Sequence, residues 1–377
     1  MNRIESLQAD AYRIPLPRPV ADSTHGTMET FQLVTARVAD SDGASGTGYT
    51  FTVGRGATAI LALLRDEFAD WLSEKPAPAS AGEIATLWDE AWWRLHWIGR
   101  GGAVSFALAA LDIALWDLAA QRAGRPLWQH LRHSVDWLTS ADSPPAVIPY
   151  AGGIDLEDPI DELLALTQHR LDSGFRAIKM KVGRPDLAED VARVSAVRDL
   201  LGPDIPLMID ANMRWSVDDA IRAARGLEGL GLTWLEEPVA PEDWDGHARI
   251  FDETGLPLAS GENLHSVAEF QQLIARGRVA YPEPDVATIG GITPWLQVAR
   301  LAMDHDRPTT THGVHDLHVH LLAAIDHASF LEVHGFGLDP FLDTSLEISG
   351  GKTVVPMTPG HGIAFDWPAL ADHKMSI

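Results

Sequence analysis

Three acidic residues recur at equal intervals in the second half of the chain. Asp210, Glu236 and Glu262 are 26 residues apart, and each ends a short apolar run typical of a buried parallel strand. That interval fits one strand plus one helix, and strand–helix units repeated in a closed barrel bring their strand ends to one face, the barrel mouth. Three carboxylates meeting there repel one another unless a cation neutralises them, and oxygen ligands favour Mg²⁺ over Zn²⁺. One such acid would be explained as a helix cap, but three in phase predict a magnesium site.

Two lysines occupy alternate positions of a strand candidate at 176–183. Lys179 and Lys181 should share one face of this strand, because side chains alternate with period two, and we expect both to point into the mouth. Their mutual repulsion beside a cation is expected to lower the lysine pKa, as a neutral lysine base requires. Lys181, nearer the strand end, is the predicted base. A solvated lysine pair fits the apolar strand less well.

A histidine and an aspartate fall in neighbouring units later in the chain. Asp285 could accept a hydrogen bond from the ring of His312, fixing its tautomer and raising its basicity. Glu332 ends the last strand candidate and is expected to donate or share a proton with a bound carboxylate. These side chains would complete a site for acid–base chemistry.

The histidines that follow His312 raise a second metal hypothesis. A zinc cluster could draw on His312, His315, His318 and His320. It ranks low, because the later histidines lie in an apolar helix from which only some could face the mouth.

Changes in the period of the apolar and polar pattern along the chain indicate the strands and helices that position these residues. Residues 1 to about 55 alternate as an antiparallel meander, 57–133 are helical in pattern, and 139–149 resemble a linker. A strand–helix rhythm follows, and the tail from about 340 contains no further strand–helix pair and is expected to pack on the N-terminal region. The strand candidates are 147–153, 176–183, 206–212, 232–238, 257–263, 279–285, 307–313 and 329–335.

We therefore predict an α/β protein in three stretches. Residues 1–138 form an α+β capping domain, 139–340 a catalytic barrel, and 341–377 a segment that returns to the capping domain. Between the first strands, the polar loop at 22–28 contains His25 and is either a flap over a pocket or a plain surface hairpin.

Composition excludes several classes of protein. The 377 residues carry a formal charge of −24, which disfavours nucleic acid and acidic membrane surfaces as partners. The absence of cysteine excludes disulfides and thiolate sites. The most apolar segment, 106–120, is interrupted by Asp112 and Asp117, so we expect an amphipathic or buried helix and no membrane span. The first residues lack an apolar signal core, and we expect a cytoplasmic protein.

Several motifs together resemble the mandelate racemase branch of the enolase superfamily. They are Lys-Met-Lys at 179–181, Ile-Asp-Ala-Asn at 209–212, Glu-Glu-Pro at 236–238, Gly-Glu-Asn at 261–263, Pro-Asp at 284–285 with Gly-Gly at 290–291, and His312. Motifs such as Thr-His-Gly at 24–26, Gly-Gly-Ile-Asp at 152–155 and Leu-Glu-Val-His at 331–334 are similar to those of its sugar-acid dehydratases and 3,6-anhydro-L-galactonate cycloisomerases.

The resemblance implies a capping domain over a (β/α)7β barrel, and Mg²⁺ on Asp210, Glu236 and Glu262. It implies Lys181, with Lys179 beside it, as one acid–base group and His312 with Asp285 as the other on the opposite face. Substrate carboxylate would contact Asn212 and Glu332, and specificity would reside near His25. Two departures stand out: Glu283 where relatives commonly have glutamine, expected to alter substrate choice, and Leu-Arg-His at 131–133 in place of a glycine-ended turn, expected to affect only the linker.

The chemistry expected of such a site is removal of the proton α to a carboxylate. We rank β-elimination on a sugar acid (dehydration) first, cycloisomerisation of an anhydro-sugar acid or lactone second, and racemisation third. A magnesium-stabilised binding protein is the non-catalytic alternative, disfavoured by the intact Lys181, Asp285 and His312. The expected partners are a small sugar acid and further copies of the chain in a homo-oligomer.

Overall fold

The alternating N-terminal segment folds into a three-stranded antiparallel sheet. In the computed structural model, which describes residues 2–73, 75–334 and 338–376, it comprises β1 (Ile4–Asp22), β2 (Gly26–Asp40) and β3 (Ser45–Thr52), in that order across the sheet. A Cβ at Gly46 or Gly48 would lie 2.2 or 2.1 Å from a backbone carbonyl oxygen of the helix packed on β3. Glycine at both positions therefore lets that helix approach the sheet closely.

The helical stretch that follows covers this sheet. It contains α1 (Ala57–Ala62), a π-helical turn (Leu63–Phe68), α2 (Ala69–Ser73), α3 (Ala81–Leu95), α4 (Ala103–Arg122) and α5 (Leu127–Ser134). Ser80 starts α3 with a capping box, because its hydroxyl accepts the N–H of Glu83 and the Glu83 carboxylate accepts the N–H of Ser80. Helix α4 is long and apolar enough to cross a membrane, but 89% of its apolar window is buried inside the protein. The prediction of a buried helix at 106–120 is confirmed.

The strand–helix rhythm builds a curled parallel sheet. Its strands are β4 (Ile148–Gly152), β5 (Ile178–Lys181), β6 (Leu207–Asp210), β7 (Leu232–Glu236), β8 (Leu258–Ser260), β9 (Tyr281–Pro282) and β10 (Phe330–Val333). The helices are α6 (Ile160–Asp172), α7 (Leu187–Leu201), α8 (Val217–Gly226), α9 (Trp244–Thr254), α10 (Val267–Ala275), α11 (Ile292–Asp304) and α12 (His315–Ala324). The order across the sheet is β10-β4-β5-β6-β7-β8-β9. The predicted α/β class and (β/α)7β barrel are confirmed.

One strand candidate, 307–313, does not form a regular strand. Its ladder contact is a single bridge between Thr309 and Ala328. Thr310 donates its N–H to Pro282 in β9 and its hydroxyl to Phe330 in β10, so this extended segment links the two edge strands. Pro308 offers no N–H, which weakens a ladder at this point. Gly335, the predicted end of the following strand candidate, lies outside the described residues.

The C-terminal tail contains elements that the sequence analysis did not predict. They are a turn of 3₁₀ helix (Asp339–Phe341), the hairpin β11 (Ile348–Ser349) and β12 (Lys352–Thr353), and α13 (Trp367–Ala371). Each is too short to show a periodic pattern. Thr353 donates its N–H to Val147 at the start of the barrel, and Met375 donates to Ala11 in β1. The tail returns to the N-terminal sheet as expected, and also contacts the barrel; the domain divisions at 138 and 340 stay predictions.

The Leu-Arg-His stretch at 131–133 contacts the barrel as well as the linker. Arg132 is 5% exposed, and its guanidinium donates to the carbonyl oxygens of Thr139, in the linker, and Ala323, in α12. It also lies 2.8 Å from a carboxylate oxygen of Asp326. The expectation that this departure affects only the linker is wrong, because the side chain ties α5 to the barrel.

Candidate active site

The three predicted metal ligands meet at the carboxyl ends of β6, β7 and β8. One carboxylate oxygen from each of Asp210, Glu236 and Glu262 lies within 4.8 Å of the other two. Asp210 and Glu236 are paired in register and are fully buried. Burial raises the pKa of Glu236 to about 8, and the neighbouring carboxylate of Asp210 adds to this effect. An oxygen-only set of three acids at this spacing fits Mg²⁺.

The two lysines lie at different depths on β5. Lys181 lines a cavity above the barrel, and its Nζ lies 2.5 Å from Oδ2 of Asp210. Lys179 is 1% exposed, with Nζ 2.5 Å from Oε1 of Glu236 and 2.7 Å from Oε1 of Glu332. Both ammonium groups extend to the acids at the mouth, and of the two lysines Lys181 lines the cavity.

The expected lowering of the lysine pKa requires a bound cation and stays a prediction; in this structure the surrounding acids raise the pKa of both lysines. Burial by itself lowers the pKa of Lys181, but the carboxylates of Asp210, Glu262 and Glu236 together raise it above the ordinary value. Glu236 and Glu332 likewise raise the pKa of Lys179 against its burial. Carboxylates at contact distance outweigh the repulsion between two ammonium groups. A cation held by the same acids would compete for this negative charge.

His312 contacts an acid through each ring nitrogen. Nδ1 lies 2.9 Å from Oδ2 of Asp285, and Nε2 lies 2.9 Å from Oε2 of Glu262. Burial by itself lowers the pKa of His312, but the two acids raise it well above the ordinary value. The Asp285 carboxylate is itself fixed, because its Oδ1 accepts the N–H of Ala287. The predicted pairing of Asp285 with His312 is present, and the imidazole is held ready to donate from Nε2.

Glu332 is surrounded by hydrogen-bond donors. Its Oε1 lies 2.7 Å from Lys179, and its Oε2 accepts the N–H of Gly313 at 3.0 Å and lies 3.2 Å from Nε2 of His334. Burial by itself raises the pKa of Glu332, but Lys179 and His334 hold it well below its usual range. Proton donation requires a protonated carboxyl, so the expected donor role of Glu332 does not fit this environment. Glu332 accepts hydrogen bonds here.

The zinc hypothesis based on α12 finds no support in its histidines. Each ring nitrogen of His318 and His320 lies 2.8–3.4 Å from a backbone N–H or carbonyl group. Burial lowers the pKa of His318 to about 4 and that of His320 to about 3, so both are neutral structural residues. A different set, His312, Glu332 and His334, does bring its ligand atoms within 4.8 Å. Two of these three residues are histidines, whereas Mg²⁺ prefers oxygen ligands, so the set of three carboxylates is the better magnesium site.

The loop at 22–28 forms the hairpin tip between β1 and β2. The Ser23 hydroxyl donates to the carbonyl oxygen of Ala211 at 2.8 Å, and the Thr24 hydroxyl donates to that of Asn212. His25 lines the cavity, and its hydrogen bond to Asp22 raises its pKa. The hairpin is thus a flap docked on the backbone that follows Asp210. Substrate contact by His25 and Asn212, which both line the cavity, stays a prediction.

A cavity of about 500 Å³ lies between the N-terminal region and the barrel mouth. Its polar side is formed by Lys181, Asn212, Glu262, His312 and Glu332, and the capping elements supply an apolar wall of Met28, Phe51, Val53, Ile60 and Phe106. The sequence analysis missed this wall and also Arg55, His265 and His334. Strand alternation could have revealed His334, which comes two positions after Glu332. The other missed residues come from separate loops and helices without a shared pattern.

Two further acids are buried beside the site. Burial raises the pKa of Glu237 and of Glu283 well above the usual range. Both oxygens of Glu237 accept from the Asn263 amide, whereas those of Glu283 have no hydrogen-bond partner among the described residues. Glu283 is absent from the cavity lining, so an effect on substrate choice would have to be indirect.

Comparisons with known proteins agree with this geometry. Residues 9–131 match the mandelate racemase/muconate lactonizing enzyme N-terminal domain, and residues 162–369 match the enolase C-terminal domain-like family. The 3,6-anhydro-alpha-L-galactonate cycloisomerase of Streptomyces coelicolor is 48% identical over 97% of this chain and 98% of its own length.

Two solved structures also match this chain over nearly its whole length. A racemase from Streptomyces coelicolor A3(2) with bound magnesium has a TM-score of 0.91 at 46% identity, covering 99% of this chain and 100% of that one. An L-talarate dehydratase from Polaromonas, complexed with Mg and L-glucarate, has a TM-score of 0.91 at 33% identity, covering 100% and 98%. Both of these neighbours contain bound magnesium, and the chain belongs to the mandelate racemase/muconate lactonizing enzyme family of the enolase superfamily.

Proposed function

We propose that this protein removes the proton α to the carboxylate of a sugar acid and then eliminates the β-oxygen. The observation that carries the proposal is the position of two acid–base groups around the three acids: Lys181 contacts Asp210, and His312 contacts Glu262. In the order of the sheet, the lysine strand precedes the three ligand-bearing strands and the histidine segment follows them. A substrate above the cluster would therefore lie between a base and an acid.

Asp210, Glu236 and Glu262 would hold Mg²⁺, which when bound supplies Lewis-acid stabilisation of the charge that develops on the substrate carboxylate. Lys179 adds a fixed positive charge at the bottom of the site, and Glu332 keeps that ammonium in place at 2.7 Å. Asn212 and His25 line the cavity from the barrel and from the flap, where they contact the hydroxyl-bearing part of the substrate.

The reaction needs no external oxidant or reductant. Nζ of neutral Lys181 takes the α-proton, and the electron pair of that C–H bond forms the new double bond. The β C–O bond breaks, and the departing oxygen takes the proton from Nε2 of His312. The resulting enol gains a proton on carbon and becomes a 2-keto-3-deoxy acid.

The identity of the β-oxygen separates the two favoured reactions. If it belongs to an anhydro ring, its departure opens the ring and gives an isomer; if it is a hydroxyl, water is lost. We favour cycloisomerisation of a 3,6-anhydro-sugar acid, reversing the order suggested by the sequence alone. Support comes from the 48% identity to the cycloisomerase and from the apolar wall, which suits the C–H edges of a compact ring better than an open chain of hydroxyls.

Dehydration of an open-chain sugar acid is the second candidate, supported by the 33% identity to the L-talarate dehydratase. Either reaction would use the same residues and release the same kind of product. We further infer that the protein acts in the cytoplasm as a homo-oligomer.

The test incubates the protein and Mg²⁺ in D₂O with 3,6-anhydro-L-galactonate, galactarate and L-talarate. We expect a 2-keto-3-deoxy acid of unchanged composition from the anhydro acid. Loss of water from an open-chain acid would select dehydration. If none of these acids yields product or exchanges its α-hydrogen with solvent, the proposed chemistry is wrong for this group of substrates.

A further inference from the structure

His334 has no role in the mechanism above, yet it lies inside the same cavity. It directly follows β10, its side chain is 9% exposed, and it shares the cavity lining with Lys181, His312 and Glu332. Its ring lies edge-on to that of His312, with 5.4 Å between the centroids and 62° between the planes. His334 is therefore close enough to influence the predicted acid.

The contact between His334 and Glu332 determines which hydrogen bonds Glu332 can accept. Nε2 of His334 lies 3.2 Å from Oε2 of Glu332, and because Glu332 is ionised, that nitrogen must carry the hydrogen. The same oxygen accepts the N–H of Gly313 at 3.0 Å. A carboxylate oxygen offers two lone pairs, so these two donors fill its acceptor capacity.

Glu332 would otherwise compete for His312. Oε2 of Glu332 lies 4.0 Å from Nε2 of His312, a gap that a small rotation of either side chain would close. Nε2 of His312 lies 2.9 Å from Oε2 of Glu262, and when that carboxylate holds the cation, Glu332 would be the remaining acid able to take the Nε2–H in place of the departing oxygen. The geometry of the three side chains thus places His334 where it prevents this contact.

We propose that His334 is a positioning residue that acts on His312 through Glu332. By donating to Oε2, it keeps the Nε2–H of His312 available to the departing oxygen of the substrate. The inference rests on the proposed function, because it concerns the elimination half of that reaction and leaves the proton abstraction by Lys181 unaffected.

A matched pair of variants separates hydrogen bonding from packing. His334→Phe keeps the ring that packs between the cavity and the capping sheet but removes the donor, whereas His334→Gln keeps a donor near the position of Nε2. Two rates are measured in D₂O with Mg²⁺ and a substrate accepted by the wild type: deuterium uptake at the α-carbon of unreacted substrate, and formation of the 2-keto-3-deoxy product.

We expect His334→Phe to lower product formation about 10- to 100-fold, the range typical of residues that orient a functional side chain. Deuterium uptake should stay within about twofold of wild type, because proton abstraction by Lys181 is unaffected. His334→Gln should restore most of the product formation. Equal ratios of the two rates in wild type and His334→Phe would overturn the proposal. If His334→Phe loses both rates, His334→Gln decides: normal elimination supports the proposal, and loss of elimination overturns it. A wild type that neither forms product nor exchanges the α-hydrogen would instead contradict the proposed function itself.

Discussion

Two regions of this protein bury carboxylates and stabilise them by different means. At the barrel mouth, Asp210, Glu236 and Glu332 are at most 1% exposed, and each has a lysine ammonium within 2.7 Å. Where α4 meets the barrel, Asp112 is 1% exposed and accepts the N–H and the hydroxyl of Thr293 at 2.8 and 2.7 Å. Burial raises the pKa of Asp112 to about 7 despite these neutral donors.

The difference shows that the groups around a buried carboxylate determine its role. Asp112 supplies a cap, from another part of the chain, to the first turn of α11, and a Cβ at the preceding Gly291 would lie 2.5 Å from its carboxylate. Neutral donors in a close-fitting contact suit a side chain that only joins two parts of the molecule. Ammonium partners suit acids that must exchange one cation for another, as metal ligands do.

The largest effect should follow from removing the predicted base. Lys181→Ala takes away the group that accepts the α-proton, and general-base catalysis typically contributes about 10²- to 10⁴-fold. We expect α-hydrogen exchange to fall by at least about 10³-fold, measured by NMR in D₂O. Lys352→Ala, at an exposed lysine of β12, is the control and should exchange at the wild-type rate. Exchange that persists in Lys181→Ala would show that Lys181 at the mouth is not the base that removes the α-proton.

The second effect tests the protonation of Asp112. Its folded-state pKa, about 7, lies above the value of about 3.8 for an unconstrained aspartate, so the unfolded chain releases this proton first as the pH rises. The wild type should therefore lose stability between about pH 4 and 7, by up to about 4 kcal/mol for a difference of three pKa units.

Asp112→Asn cannot lose this proton, so its free energy of unfolding should rise relative to wild type between pH 5 and pH 8, as measured by urea denaturation. Other titrating groups are common to both proteins and cancel in the difference. A difference that is constant over this range would mean that Asp112 is ionised in the folded state, like Glu332 at the mouth.

The same contrast explains what the sequence could and could not reveal. Asp210, Glu236 and Glu262 were found because a regular spacing places them on successive strands, and strand order alone brings them together. Asp112 meets Thr293 across 181 positions without any shared period, so that contact depends on packing that no local pattern encodes. The ion pairs of the two lysines also depend on the fold, since Asp210, Glu236 and Glu332 each lie within 2.7 Å of an ammonium group. The segment 307–313 does not form a regular strand, because Pro308 has no N–H to contribute to a ladder.

A third effect concerns the acid behind His312. Asp285→Asn keeps the shape of the side chain but removes the charge that stabilises the protonated imidazole at 2.9 Å. We expect elimination to slow by about 100-fold, near the upper limit for residues that orient a functional side chain. Product formation under single-turnover conditions measures the change. A loss of less than about threefold would indicate that Glu262 alone suffices to hold His312, which would make Asp285 a structural acid like Asp112.

The smallest expected effect concerns the flap, which joins the capping region to the mouth. The hydroxyls of Ser23 and Thr24 donate to backbone carbonyls just after Asp210, and each such bond is worth about 1 kcal/mol. Ser23→Ala and Thr24→Val should each raise KM about fivefold and leave kcat within about twofold, because closure is weakened but the acid–base groups are intact. Thr27→Val, an exposed position in β2, is the matched control and should keep the wild-type KM. If the flap variants lower kcat and leave KM unchanged, the flap aligns groups for the reaction. The flap would then be part of the catalytic mouth as well as of the capping region.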